Sequence, residues 1–288
     1  MNGFDLSTIS AAYLGSTAIS EIYFGSTKVW PKVNYKEMPL TFEIWGSSSN
    51  SYSIIFICNN YGNRKTIQYR INEGSWTSVT STTNPGKTIT VHGGDIVQFK
   101  GDNTSYSGNF LRSMVSCEVM GNIMSLLDST NFATLTTISS GTNNFQSIFG
   151  SSGVTYADHL ILPATTLTTS CYSGMFNSCP YLETTPELPA TTLAMSCYNS
   201  MFANCSSLTT APELPAPTLV SGCYSGIFAS SSNLRYIKCL ATNISASGCT
   251  SGWVSGVAAT GTFVKASTMS SWTTGTSGIP SGWTVQNA

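Results

Sequence analysis

Charge is what this 288-residue chain has least of: Lys, Arg, Asp and Glu together make up 9% of it, against about 25% in an average globular protein. Twelve basic and 13 acidic side chains leave a formal charge of -1, so there is no electrostatic footprint for a phosphate backbone or an anionic membrane surface. Nucleic acid is therefore not an expected partner. Membrane insertion is not expected either, because no run of about 18 apolar residues is present. The first 30 residues carry neither a basic region nor a continuous apolar stretch, and export through a secretory signal is not expected. Metal-binding spacing is missing as well. The nine cysteines include no CxxC pair, and the two histidines, His92 and His159, lie far apart, whereas a zinc site draws on closely paired ligands. An odd number of cysteines in a large chain is not a disulfide scaffold. Reduced, buried thiols, no metal and no cofactor are expected.

What fills the place of charge is hydroxyl and amide: Ser, Thr, Asn and Gly stand where Lys and Glu normally sit, giving a neutral surface. An apolar share of 41% supports packed cores. Above all there is periodicity. Cys171, Cys197, Cys223 and Cys249 recur at intervals of 26 residues inside matching units: LPATTLTTSCYSGMFNSCPYLETTPE from Leu162, LPATTLAMSCYNSMFANCSSLTTAPE from Leu188, LPAPTLVSGCYSGIFASSSNLRYIKC from Leu214, and a fading LATNISASGCTSGWVSG from Leu240. Such repetition signals a solenoid, because one unit cannot bury its apolar face without copies of itself above and below. Leu188, Leu193, Cys197, Met201, Phe202, Cys205 and Leu208 are expected inside, each stacked on its counterparts roughly 4.8 Å away if a strand joins a parallel ladder. Leu188-Pro189 and Leu214-Pro215 read as strand ends at corners, and the Met-Phe pair as a short helical turn. Parallel side chains on stacked strands would hold Cys171 and Cys197 in a poor torsion for a disulfide. Residues 130–161, with Phe145 to Phe149, read as a degenerate first unit, and 258–288 as a cap.

Ahead of the repeats, Tyr13-Leu14-Gly15-Ser16-Thr17-Ala18-Ile19 returns ten residues later as Tyr23-Phe24-Gly25-Ser26-Thr27-Lys28-Val29, before Trp30-Pro31. This alternation around a turn reads as short strands. Thirty residues bury little alone, so 1–32 is read as an anchor carrying Tyr13, Tyr23, Phe24 and Trp30, or as a strand pair completing a neighbouring sheet. Seven strands are expected at Thr41–Trp45, Ser53–Cys58, Thr66–Ile71, Trp76–Val79, Thr88–Val91, Asp95–Lys100 and Met114–Val119. Their spacing points to a β-sandwich over 33–120. Turn residues at 72–75 and 84–86 suggest hairpins in a meander, and 121–127 suits a short helix or cap.

Few constellations carry chemistry. Asp158-His159 lies among serines but without a nucleophile motif, and neighbours in an extended segment point to opposite faces; a solvated loop pair is the expectation. Glu187 and Glu213 hold equivalent positions in successive units. They should sit a few ångströms apart and raise one another's pKa, on a ladder that offers no glycosidase cleft. Tyr172, Tyr198 and Tyr224 form a column that could stack on sugars if exposed, or act as half-buried spacers if not.

The run Leu188-Pro189, Met201-Phe202, Cys205-Ser206-Ser207-Leu208 resembles the BspA-like (Treponema pallidum-type) leucine-rich repeat. The likeness is close over 162–240 and loose over about 130–257. The chain departs from the pattern in having Met or Ile where Ala is usual, in its 26-residue interval, and in Ser231 replacing the third unit's Cys. The Tyr-Leu-Gly-Ser-Thr and Tyr-Phe-Gly-Ser-Thr-Lys-Val-Trp steps are similar to segments near the start of tailed-bacteriophage virion proteins, especially of gut phages. These resemblances imply a non-enzymatic virion protein, a tail or head fibre or adhesin. Residues 1–32 would contact other phage structural proteins, and the repeats, through Tyr172, Tyr198, Tyr224, Glu187 and Glu213, would meet a host-surface glycan or protein. A homo-oligomer is expected. A structural decoration protein or a bacterial cell-surface adhesin is the alternative. The expected architecture is mainly β: an anchor over 1–32, a sandwich over 33–120, a leucine-rich-repeat solenoid over 121–257 and an irregular cap over 258–288.

Overall fold

A computed structural model describes residues 12–14, 17–19, 22–24, 27–30, 33–56, 59–60, 63–64, 66–80, 87–108, 110–138 and 141–288. The chain divides into two compact units, Met1–Tyr35 and Lys36–Ala288. In the first, β1 (Ala12–Leu14) pairs antiparallel with β2 (Thr17–Ile19), and β3 (Ile22–Phe24) with β4 (Thr27–Trp30). The ten-residue sequence repeat thus becomes two successive hairpins. Tyr13, Tyr23, Phe24 and Trp30 all fall within their strands.

The second unit is mainly β, and among the described residues it contains no α-helix. Its strands are β5 (Leu40–Ile44), β6 (Ser51–Phe56), β7 (Asn59–Asn60), β8 (Asn63–Arg64), β9 (Thr66–Ile71), β10 (Thr77–Thr80), β11 (Lys87–His92), β12 (Ile96–Lys100), β13 (Leu111–Arg112), β14 (Cys117–Asn122), β15 (Val154–Tyr156), β16 (Leu160–Ile161), β17 (Tyr236–Cys239), β18 (Thr262–Lys265) and β19 (Thr284–Asn287). Period-two alternation makes them: in β11, Ile89 and Val91 are buried while Thr88, Thr90 and His92 are exposed. One sheet runs β10-β9-β12-β5-β14-β15, with β16 also on β14, and a second runs β11-β6-β13. Phe42, Val97 and Phe99 of the first share one apolar core with Ile54, Ile89 and Val91 of the second.

The meander expectation is corrected by this order. Among the described strands of this unit, the consecutive antiparallel pairs are β7 with β8 and β9 with β10, the latter around 72–76. β10 and β11 lie in different sheets; the turn expected at Asn84-Pro85-Gly86 lies outside the described residues. Alternation tells each strand which face is buried and says nothing about its partner.

β14 is antiparallel to β5 on one side and parallel to β15 and β16 on the other, so the boundary expected at 120/121 falls inside a strand. Beyond it, a 3-10 turn spans Ile123–Leu126, capped by the Asn122 side chain accepting from the Met124 N–H at 3.0 Å. Gly121 makes the turn-off possible: its φ is +81°, and a Cβ there would collide with the Pro39 carbonyl.

In one stretch of each unit (143–151, 170–178, 196–204, 222–230 and 248–256) the backbone follows one rule. In the unit starting at Leu188, the N–H groups of Cys197, Asn199, Met201 and Ala203 donate to the carbonyls three residues back (Ala194, Ser196, Tyr198 and Ser200, at 3.1 to 3.2 Å). The alternate N–H groups, of Tyr198, Ser200, Phe202 and Asn204, donate to Cys223, Ser225, Ile227 and Ala229 in the next unit, at 2.8 to 3.1 Å. Every fourth residue is left-handed: Ser170, Gly174 and Ser178; Ser196, Ser200 and Asn204; Gly222, Gly226 and Ser230; Gly248, Gly252 and Gly256. The expected short helical turn is therefore a chain of four-residue turns, which point two side chains inward and two outward. Only residues with small or locally bonding side chains hold the left-handed position cheaply, since it costs other L-residues about 1–2 kcal/mol.

The inward pairs build columns. Tyr172, Tyr198 and Tyr224 stack at 5.9 and 6.0 Å, and Phe176, Phe202 and Phe228 at 5.7 and 6.0 Å. Phe149 extends the second column to Phe42 of the two-sheet core at 5.9 Å. Trp253 closes the first, lying parallel to Trp272 at 5.3 Å and donating its indole N–H to the Gly278 carbonyl. β18 and β19 extend β17, which ends the unit from Leu214, into the parallel sheet β17-β18-β19.

The Cys-to-Ser change in the third unit has a physical reason. Cys179, Cys205 and Ser231 each donate to a Phe carbonyl of the preceding turn of the stack (Phe149, Phe176 and Phe202, at 3.1, 3.2 and 2.8 Å). The position requires a small donor, and either side chain supplies one.

Gly226→Val puts a β-branched residue at φ +61° with its Cβ 3.1 Å from the Ser200 Oγ. It should cost about 2 kcal/mol or more, whereas Ser200→Gly, relieving the same conformation one unit earlier, should be neutral to stabilising. Denaturant unfolding of both variants checks the pair. Equal behaviour would contradict the left-handed assignment.

Candidate functional site

Tyr172, Tyr198 and Tyr224 are at most 1% exposed, which corrects the expectation that they meet a ligand. Each is the second residue of an inward pair, and its ring faces are covered by the rings above and below. Burial pushes all three phenols well above their ordinary pKa, with the neighbouring thiols adding to the effect.

The cysteines lie in the same interior. All eight among the described residues are free and buried. Burial raises Cys117, Cys171 and Cys239 to about 12 and Cys223 to about 11, and raises Cys179, Cys197 and Cys205 too. Cys197 is raised further by Cys171 and Cys223 on either side, as a column requires.

What the repeats present outward is different. Thr137, Thr166 and Thr192 are joined in register by parallel bridges, as are Thr218 and Asn243, and all five are exposed. They form a ridge of hydroxyl and amide groups along the stack. Glu187 and Glu213, also exposed, line a cavity of about 460 Å³ with Pro186, Pro189, Pro212 and Pro215. Glu213 pairs with Lys238 of the next unit at 2.8 Å, so two carboxylates are followed by one ammonium. This charge pairing raises the Lys238 amine above its usual value.

A second surface lies where β14 meets the first parallel strands. Glu43, Glu118 and Tyr156 are direct neighbours across β5, β14 and β15. Burial, followed by the charge of Glu118, lifts the Glu43 carboxyl above its ordinary pKa. The Glu118 Oε1 lies 2.6 Å from the His159 Nδ1, and Asp158 accepts from the Thr184 hydroxyl at 2.6 Å. Tyr156 donates to Glu183 at 2.9 Å and packs against Trp45 with ring centroids 4.8 Å apart. Trp45 then lines a cavity of about 680 Å³ with Tyr52, Ser113, Met114 and Val115.

No protein-family model, curated protein or solved structure matches this chain. No helix among the described residues is long and apolar enough to cross a membrane.

The expectation of opposite faces for Asp158 and His159 is corrected. They occupy a turn, not an extended segment, and with Glu118 their ligand atoms lie within 4.8 Å of one another. Glu118, Glu43, Trp45 and Tyr156 were missed by sequence reasoning, since period-two alternation identifies outward positions without saying which strands meet. The threonine ridge was legible in the repeated Thr-Thr of Thr165-Thr166 and Thr191-Thr192.

The thiols set an alkaline limit. Their folded pKa values stand above the ordinary thiol range, so the stabilisation is whole below about pH 9 and is lost as pH climbs towards 11 to 12. Each contributes a slope of roughly 1.4 kcal/mol per pH unit in that window. Melting temperature should fall steeply from pH 9 to 10.5, and in a Cys58→Ser chain a thiol reagent at pH 8 should label the eight described cysteines only after unfolding. A flat melting profile with rapid labelling would contradict the buried columns.

Proposed function

We propose that this chain is a non-enzymatic phage virion protein, a tail or head fibre or adhesin. In this reading Lys36–Ala288 is a β-sandwich continued by a BspA-like leucine-rich-repeat solenoid with an irregular cap. The hairpins of β1 to β4 contact other phage structural proteins. The repeats meet a glycan or protein on the host surface.

The threonine ridge carries the proposal. Thr137, Thr166 and Thr192, bridged in register, and Thr218 and Asn243, bridged to each other, offer exposed hydrogen-bonding groups, and repetition of weak contacts converts low individual affinity into attachment. The neutral surface suits an uncharged glycan better than an anionic polymer. Glu187 and Glu213 flank the proline-lined cavity beside it and serve as further hydrogen-bond acceptors. No acid-base pair in a cleft is invoked, and none is needed for adhesion.

Binding of the whole chain to glycan arrays and to bacterial cells tests this reading. The double variant Thr166→Arg/Thr192→Arg should lose at least tenfold in binding while keeping its melting temperature, because both side chains are exposed. Absence of binding by the unaltered chain would leave a structural decoration role. Locating the chain on purified particles separates a virion protein from a bacterial surface adhesin.

A further inference from the structure

The parallel pairing of β14 is irregular at one place. Cys117 pairs with Val154 and Glu118 with Tyr156, then Gly121 with Leu160. Residues 156 to 160 therefore cover in four steps what β14 covers in three, after a first slip at Thr155. Bulges of this kind re-aim side chains. Here the surplus residues form the turn at 158–159, and both Asp158 and His159 are brought over Glu118.

The result is a group of one imidazole and two carboxylates, each offering one ligand atom within 4.8 Å of the others. Three features distinguish it from a chance meeting of surface charges. The backbone is pinned on both strands, the Gly121 N–H donating to the His159 carbonyl at 3.1 Å. Asp158 is oriented by the Thr184 hydroxyl, which itself accepts from the Ala157 N–H at 3.0 Å; this is the kind of outer support that metal-binding carboxylates receive. The surroundings add negative charge, with Glu43 directly opposite Glu118 on β5 and Glu183 held one turn away by Tyr156.

We propose that Glu118, Asp158 and His159 bind a divalent transition-metal ion of the Zn2+ or Mn2+ class. One nitrogen and two carboxylate oxygens, with further positions open to water, suit these ions better than Ca2+ or Mg2+, which favour all-oxygen sets. The ion replaces the proton between His159 Nδ1 and Glu118 Oε1, now 2.6 Å apart, and the two atoms separate to the spacing of neighbouring ligands. It clamps the sandwich strand β14 to the first turn of the repeats. This site stands apart from the threonine ridge, and its test is independent of adhesion.

Calorimetric titration of the whole chain with Zn2+ and with Mn2+ reads it directly. One ion per chain should bind. His159→Ala and Glu118→Gln should each weaken binding at least tenfold, His92→Ala should leave it unchanged, and Ca2+ and Mg2+ should bind at least tenfold more weakly. Melting temperature should rise with Zn2+ in the unaltered chain and not in His159→Ala. A Co2+-loaded sample should show no thiolate charge-transfer band. No binding at millimolar Zn2+, binding that survives His159→Ala, or a thiolate band would each overturn the proposal.

Discussion

The repeats depend on how each unit divides its backbone hydrogen bonds. Alternate N–H groups turn back three residues and the others reach 25 residues forward, so each unit is closed by itself and ladders to the next. This division is possible only if every fourth residue is left-handed, which restricts those positions to Gly, Ser and Asn. It also fixes the side chains as inward and outward pairs. The aromatic columns, the buried thiols and the outer ridge of hydroxyls all follow from that one arrangement, because equivalent residues can only fall above one another.

The 26-residue period made the columns legible before any coordinates, and Cys197 does sit between Cys171 and Cys223. The four-residue spacing of Ser170, Gly174 and Ser178 was equally present but was not read, because small polar residues look like generic turn formers. Missing that spacing put the tyrosines in doubt. With it, Cys171-Tyr172 becomes an inward pair and the burial of Tyr172 follows. The longer strands of the two-sheet part were legible from alternation, the two-residue strands β7, β8 and β13 were too short to show it, and the pairing was not legible: β10 and β11, neighbours in sequence, are in different sheets. Glu118 and His159 were out of reach for the same reason, their meeting being a consequence of register and a bulge.

β14 resolves a problem that both halves share. A sheet ending at β14 would expose a strand edge, and a stack beginning at residue 143 would expose an apolar end; unpaired edges and ends invite aggregation. By pairing antiparallel with β5 and parallel with β15 and β16, β14 covers both. The Phe42 to Phe149 contact continues the same junction inside the core. At the far end the solution is different: Trp253, Phe263 and Trp272 pack edge and face, and large rings replace a missing neighbour.

The scarcity of charge is explained by the stacking itself. A charged outward residue repeated in every unit would meet its copies at roughly 4.8 Å. Like charges at about that distance cost close to 1 kcal/mol each even in water, and the cost recurs with every added unit. Threonine, serine and asparagine repeat without penalty, and their hydroxyls and amides keep the surface soluble. Where the column does begin to repeat a charge, at Glu187 and Glu213, the next equivalent is Lys238, which pairs with Glu213 at 2.8 Å. The interacting carboxylates Glu43 and Glu118 stand in the non-repeating part, on neighbouring strands, where each occurs once and can be answered by a single imidazole. A repeat that must lie on its own copies therefore carries few charges, and where one does recur it is met by the opposite sign, as Glu213 is by Lys238.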